Sequence, residues 1–404
     1  MIQHDQSTRK HCKHKTDKQA ELVLIAMRVL NIDVTVDPIT GGGCAERTFQ
    51  MSRALVRNGV ECDLLILDIG LTPERLKLLE GVDVHIQTCL IERFYVPRFS
   101  IRRVKELVAK SDIVHLMGHW EFPDALIYPI IRRCAKPYVN CPAGSLKVQG
   151  RSRFIKSWYN RIIGNRIVRN ASRLIAISPN EYSQFAQYGA NQDNIALVPN
   201  GINPEEYVLA DDALFRNRYA LGEGPFLLFI GRLNPIKGPD LLLKAFIKIA
   251  DNFSDHQLIF AGPDDGVRSE LQDLALEAGI QGRVHFTGFL DQPEKSMALN
   301  AADLLVIPSR SEAMSIVVLE AGAASTPVLA TDQCGLNEIE AAGGGMISPV
   351  SVDGLAQSLR EMLADGAKLQ TMGRSLHKFV LADFTWQAMA ERLIAIYQEI
   401  LDHS

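Results

Sequence analysis

The run Phe226–Ile230, FLLFI, has no polar face and is too short for a helix, so it reads as a buried strand. It leads into GRLNPIKG, a turn, and a helix from about Pro239. The pattern then repeats, with a strand at 257–261 ending in Gly262-Pro263, a helix at 268–278 and a strand at 284–286 before Thr287-Gly288. The first half alternates in the same way. A strand at 28–36 (RVLNIDVTV) is followed by Thr40-Gly41-Gly42-Gly43, a helix at 45–58 that stops at Asn58-Gly59, and a strand at 62–68. Residues 112–117, 174–177 and 195–198 read as further strands. Strand–helix alternation builds parallel sheets covered by helices, so the expected fold class is α/β, with two Rossmann-like doubly wound domains facing a central cleft.

At 404 residues the chain exceeds one ordinary core. The expected boundaries are an N-terminal extension at 1–26, domains at 27–200 and 201–382, and a last helix at 383–404 with Thr385 as its N-cap. A net charge of −4 argues against a nucleic-acid partner. Seven cysteines without a C-x-x-C pair fit a reducing, cytoplasmic compartment. No signal-peptide pattern is present, and Arg28 and Asp33 interrupt the longest apolar candidate at 22–36, which is too short to span a membrane. His11, Cys12 and His14 read as polar tail sequence rather than as metal ligands.

The most specific chemistry lies in DLLVIPSRSEAMSIVVLEAGAASTPVLATDQCGLNE, residues 303–338. It reads as a strand at 304–307, a break at 308–310, a helix at 315–324 and a strand at 328–330. Glu312 then precedes the helix and Glu320 lies on its early turns, with the amides of Met314, Ser315 and Ile316 between them as expected free donors. A helix start of this kind suits a phosphate. Two carboxylates beside it suit the hydroxyls of a sugar nucleotide, or they are a solvated loop Glu and a helix Glu near a positive dipole end. Arg232 and Lys237 share one strand–helix loop, where fixed cations can stabilise a diphosphate leaving group. There is no Asp-x-Asp pair to hold a divalent ion.

Three further features stay open. The glycines Gly41, Gly42 and Gly43 are either a tight turn or a ligand loop, and they do not make G-x-G-x-x-G. His119 follows the strand at 112–117, on the side where open sheets bind ligands, although packing is the commoner use of one histidine. Arg151, Arg153, Lys156, Arg161, Arg166, Arg169 and Arg173 have no acidic residue among them and interleave with Trp158, Tyr159, Ile162, Ile163, Ile167 and Val168. This stretch reads as a face for anionic lipid or an acidic acceptor, or as a solvated helix packed on the core.

In order, VHLMGHW, VPNGI, IGRLNPIKG, FAGPDDG, VHFTGF, PSRSEAMSIVVLEAGAASTPVLATD and FTW resemble a retaining, GT-B family 4 glycosyltransferase, of the glycosyl transferases group 1. The resemblance runs nearly the whole chain from Met27. It implies transfer of a sugar, of hexosyl type, from a nucleotide-diphosphate sugar to a hydroxyl acceptor with retention, without a cofactor or metal. By the same resemblance Arg232 and Lys237 meet the donor diphosphate with Gly262, Met314, Ser315 and Ile316, Glu320 meets the ribose, and Glu312 the transferred sugar. His119 bonds the sugar from the other domain, the Gly41–Gly43 segment closes over phosphate or acceptor, and the last helix returns to the N-terminal domain.

Two positions depart from the pattern. His115-Leu116-Met117 stands where many members have His-x-His, and Ser315 replaces the usual Gly of the phosphate cradle. Family habit points to bacterial polysaccharide or lipid-linked glycan synthesis, in the cytoplasm or peripheral on the cytoplasmic face of the inner membrane. The competing readings are a sugar-nucleotide epimerase, which would turn over donor alone, and a non-catalytic nucleotide- or glycan-binding member.

Overall fold

The computed structural model describes residues 27–98, 100–148, 153–207 and 212–403. The extension at 1–26, with its His11, Cys12 and His14, and the basic Arg151 lie outside the described residues. In chain order the strands are β1 (Arg28–Ile32), β2 (Glu61–Leu67), β3 (Val82–Gln87), β4 (Cys89–Ile91), β5 (Val96–Pro97), β6 (Ile113–Leu116), β7 (Tyr138–Asn140), β8 (Arg173–Ala176) and β9 (Ile195–Leu197). They continue with β10 (Phe226–Ile230), β11 (Gln257–Ala261), β12 (Val284–Gly288), β13 (Leu304–Ile307), β14 (Val328–Thr331) and β15 (Gly345–Ser348).

Among the described residues these strands form two large parallel sheets. One has the order β3-β2-β1-β6-β7-β8-β9 and the other β12-β11-β10-β13-β14-β15, while β4 and β5 make a small antiparallel ribbon. The order reverses between β1 and β6 in the first sheet and between β10 and β13 in the second. Loops leaving the two sides of such a switch diverge and open a crevice. That topology brings Arg232 and Lys237, which follow β10, next to Glu312, which follows β13.

The first helix differs from its expected extent. It runs Pro38–Arg57, with Asp37 as N-cap accepting from the amides of Ile39 (3.3 Å) and Thr40 (2.9 Å), and a kink at Gly42 (φ 59°, ψ −138°). Asp37-Pro38 is a cap followed by a first-turn proline, and that signal outweighs the glycines. Gly41, Gly42 and Gly43 are therefore a bent first turn of the helix, not a loop ahead of it. Only a residue that tolerates positive φ makes the bend, and Gly42 turns it toward the other sheet.

The chain passes between the halves twice, at adjacent places. Ile202 bridges Thr385 in parallel, its amide donating to Phe384 O (2.8 Å) while the Trp386 amide donates to Ile202 O (3.0 Å). Arg47 of the first helix, 1% exposed, reaches this crossing and donates to Val198 O (3.0 Å), Pro199 O (2.9 Å) and Asn200 Oδ1 (3.0 Å). The last helix, Trp386–Asp402, starts on Thr385, whose hydroxyl accepts from the Ala388 amide at 3.2 Å. It packs on the first helix, with Tyr397 Oη 2.6 Å from His115 Nδ1.

Candidate functional site

A cavity of about 430 Å³ lies between the two sheets. Its first-half wall includes Gly41, Gly42, Gly43, Glu46 and Phe49; its second-half wall includes Arg232, Lys237, Gly262, Glu312, Met314, Ser315, Ile316 and Glu320. Apart from His119, every residue singled out for the site in the sequence lines this one space.

Each part of the second-half wall has a local cause. Gly262 (φ 143°) lies so close to the β10 loop that a Cβ there would sit 2.0 Å from Gly231 O, so only glycine lets these two strand ends meet. Lys237 Nζ is 2.9 Å from Glu312 Oε1, and the Ser309 hydroxyl donates to the same oxygen. Glu312, with a side chain 9% exposed, is thus turned toward the β10 loop rather than into solvent. The Arg232 guanidinium has no ion pair or hydrogen bond among the described residues, and it faces Gly42 across the cleft. Among the described residues it is a cation without a counter-ion, exposed at the edge of the cavity.

One expectation about the helix start needs correction. The Ser315 amide is not free, because it donates to Cys334 O at 3.1 Å, as the Glu312 amide does to Gln333 O at 2.8 Å. The loop after β14 folds under the 312–315 segment and engages these donors, while no described residue accepts from the amides of Met314 and Ile316. The helix itself runs Ile316–Ala323, with Ser315 in the N-cap position but making no side-chain cap bond.

His119 is also not where its role would need it. The structure buries it completely, with Nε2 3.2 Å from Asn160 Oδ1 and its ring edge-on to Trp120, Tyr159 and Tyr188 at centroid distances of 4.8, 5.7 and 5.1 Å. Burial pushes its pKa down to about 4, only partly opposed by the Asn160 bond, so it is neutral near pH 7. Aromatic side chains arriving from distant sequence close over it and keep it off the cavity wall.

Several wall residues carried no weight in the sequence reading. Glu46 and Arg75 pair at 2.6 Å, and the Arg75 guanidinium stacks 3.3 Å from the Phe49 ring centroid. Gln292 and Lys295 line the second-half side. Lys295 Nζ is 2.5 Å from Glu320 Oε1, while Glu320 Oε2 is buried without a partner. A signal for Lys295 existed: it stands three and four residues before Ala298 and Leu299, on the inward side of its helix. Among the described residues, no group of three or more His, Cys, Asp or Glu side chains is placed to hold a metal.

Comparison with known proteins agrees with this architecture. Residues 41–206 match the model of Glycosyltransferase Family 4, and residues 211–379 match that of Glycosyl transferases group 1. A D-inositol 3-phosphate glycosyltransferase of Nocardia farcinica is 33% identical over 253 residues, a stretch covering 60% of this chain and 56% of that protein. An uncharacterized glycosyltransferase of Methanocaldococcus jannaschii is 26% identical over 394 residues, 92% of this chain and 98% of its own length. Among solved structures, HepE of Anabaena in complex with UDP and glucose superposes with a TM-score of 0.75 at 20% identity, covering 92% of this chain and all of that one. With both halves matched in sequence and two Rossmann-like sheets facing one cleft, the chain belongs to the family 4, group 1 glycosyltransferases and has their GT-B fold.

Proposed function

We propose that this protein is a retaining glycosyltransferase, of hexosyl type, that uses a nucleotide-diphosphate sugar and a hydroxyl acceptor and needs no metal or other cofactor. The observation that carries this reading is the second-half wall, where Arg232, the Lys237–Glu312 pair, the amides of Met314 and Ile316, and Glu320 Oε2 line one cavity, the arginine, the amides and Oε2 without a partner among the described residues. Arg232, Lys237 and the two amides hold the diphosphate and stabilise charge as it departs. Glu320 takes the ribose, and Glu312, oriented by Lys237 and Ser309, takes the sugar. The leaving phosphate oxygen accepts the acceptor proton on the face it departs from, which gives retention. Gly42 and Gly43 bring the first-half wall up to the phosphate. His119 stands behind that wall and packs Trp120 and Asn160, so it has no part in the proposed contacts.

A thermal-shift panel of UDP-, GDP- and ADP-sugars tests the donor site. One nucleotide class raises the melting temperature of the native protein, and Glu320→Ala and Lys237→Ala abolish the shift. No shift with any of them removes this reading.

We place the acceptor among lipid-linked or polysaccharide glycans, made at the cytoplasmic face of a membrane. Among the described residues, no helix is long and apolar enough to cross one. Segment 153–169 turns Tyr159, Ile163, Ile167 and Val168 inward, yet leaves Phe154 (85% exposed), Ile155, Trp158 (65%) and Ile162 outside, beside exposed Arg153, Arg161, Arg166 and Arg169. Aromatic and aliphatic side chains ringed by arginine match an anionic bilayer surface, where each basic residue contributes about 1 kcal/mol. Vesicles with anionic lipid therefore sediment the protein and neutral vesicles do not. Trp158→Ser and the double change Arg161→Glu, Arg166→Glu each reduce the bound fraction several-fold; unchanged sedimentation removes the membrane contact.

A further inference from the structure

Lys295 is placed to do more than pair with Glu320. It sits on the helix Gln292–Ala301 with its side chain 19% exposed, and both it and Glu320 line the cavity. Its ammonium also stands 5.9 Å from the Tyr207 ring centroid. Glu46 of the first helix and Glu206 of the crossing add to the field of Glu320; burial works against the Lys295 charge, but these carboxylates together hold its pKa above the ordinary value. The floor beneath it is fixed as well: the Tyr207 hydroxyl donates to Gln292 Oε1 at 3.2 Å, and Gln292 Nε2 donates to Glu206 O at 3.1 Å.

The partner shows the consequence. Glu320 is 4% exposed, its Oε1 is taken by Lys295 at 2.5 Å, and its Oε2 accepts no hydrogen bond from a described residue, the Tyr207 hydroxyl that feels its charge being given to Gln292 Oε1. A carboxylate turns easily about its terminal bond, so without a clamp neither oxygen would be held toward the cavity. A buried acceptor left unpaired is costly and calls for a donor from a ligand.

We propose that Lys295 is a positioning residue for the donor's ribose: it clamps Glu320 Oε1 and so presents Oε2 to a ribose hydroxyl. This rests on the reading that Glu320 meets the ribose. Lys295 then governs the discrimination between a ribonucleotide and its deoxy analogue rather than the strength of diphosphate binding.

The test is calorimetric titration of UDP, GDP and ADP and of their 2′,3′-dideoxy counterparts into wild type, Lys295→Met and Glu320→Gln. For the nucleotide that wild type prefers, it binds the ribo form about tenfold or more tighter than the dideoxy form, as expected for one hydrogen bond to a charged group. In Lys295→Met the ribo form weakens until the ratio falls to within about threefold, while the dideoxy Kd stays put. A merely structural loss would weaken both forms equally, and that result, or an undiminished ratio, overturns the inference. Lys295→Leu, likewise unable to donate to Glu320, gives the same readout if the methionine variant folds poorly. A ratio that collapses in Glu320→Gln but not in either Lys295 variant overturns only the role of Lys295. A wild type that does not distinguish ribo from dideoxy overturns the ribose reading of Glu320 and this inference with it.

Discussion

Arg232→Ala lowers kcat by about 10²- to 10³-fold, the loss expected when one preorganised donor to developing negative charge is removed. The folded protein does not miss the side chain, because the guanidinium has no hydrogen bond or ion pair among the described residues. The melting temperature without nucleotide therefore stays where it was, and the whole effect appears in turnover and in donor affinity. Lys237→Ala behaves differently. It deprives Glu312 of its only ion pair among the described residues, leaving that carboxylate with the Ser309 hydroxyl. Turnover falls to a similar degree, and Glu312 is also free to rotate out of position. Steady-state kinetics with the donor identified by thermal shift, alongside melting curves of both variants, check the pair. A drop in kcat/KM of less than about threefold for Arg232→Ala would sink the diphosphate assignment, since that corresponds to well under 1 kcal/mol.

Arg47→Met carries the largest expected stability effect, about 3–5 kcal/mol and roughly 10 °C in melting temperature, because three buried acceptors lose their donor at once. The guanidinium is buried and satisfies Val198 O, Pro199 O and Asn200 Oδ1. Methionine fills much of the volume but leaves these three acceptors in the interior without donors. The damage extends to the cavity, because the Asn200 side-chain amide also donates to Met314 O at 3.4 Å, and Met314 lines the cavity. Urea denaturation of the variant measures it; a loss below about 1 kcal/mol would mean that water or a backbone shift satisfies the acceptors instead.

The sequence made legible what local chemistry decides. FLLFI became β10 without change of limits, because an unbroken apolar run has one stable use in a parallel sheet. Arg232, Lys237 and Glu312 could be placed on one wall because each follows a strand end that the neighbouring residues announce, and Glu320 because its helix begins directly after Glu312 and Ser315. Three things were not readable, each for a physical reason. Glycines at 41–43 suggested a loop, but the Asp37 cap and Pro38 had already begun the helix. The Ser315 amide reads as free because its acceptor, Cys334 O, comes from the next strand's loop, and the choice for His119 between a ligand contact and packing stays open in the sequence because Tyr159 and Tyr188, which close over it, lie far along the chain. Arg47 and Lys295 carry no strand-end signal; they lie on helix faces, where a basic residue on the inward side is itself a sign of a buried acceptor.

The paired crossing between the halves has a mechanical consequence. Ile202 and Thr385 tie the two connections together, and a Cβ on Gly201 would lie 2.7 Å from the Trp386 amide nitrogen. Two connections sewn side by side join the halves along one line, as a spine joins the leaves of a book, and so resist sliding or twisting between them. A small displacement at that seam is multiplied by the distance to the cavity mouth, where Gly42 faces Arg232. Bulk added at Gly201 therefore acts on the cavity as leverage, changing how its two walls meet without replacing a side chain that lines them.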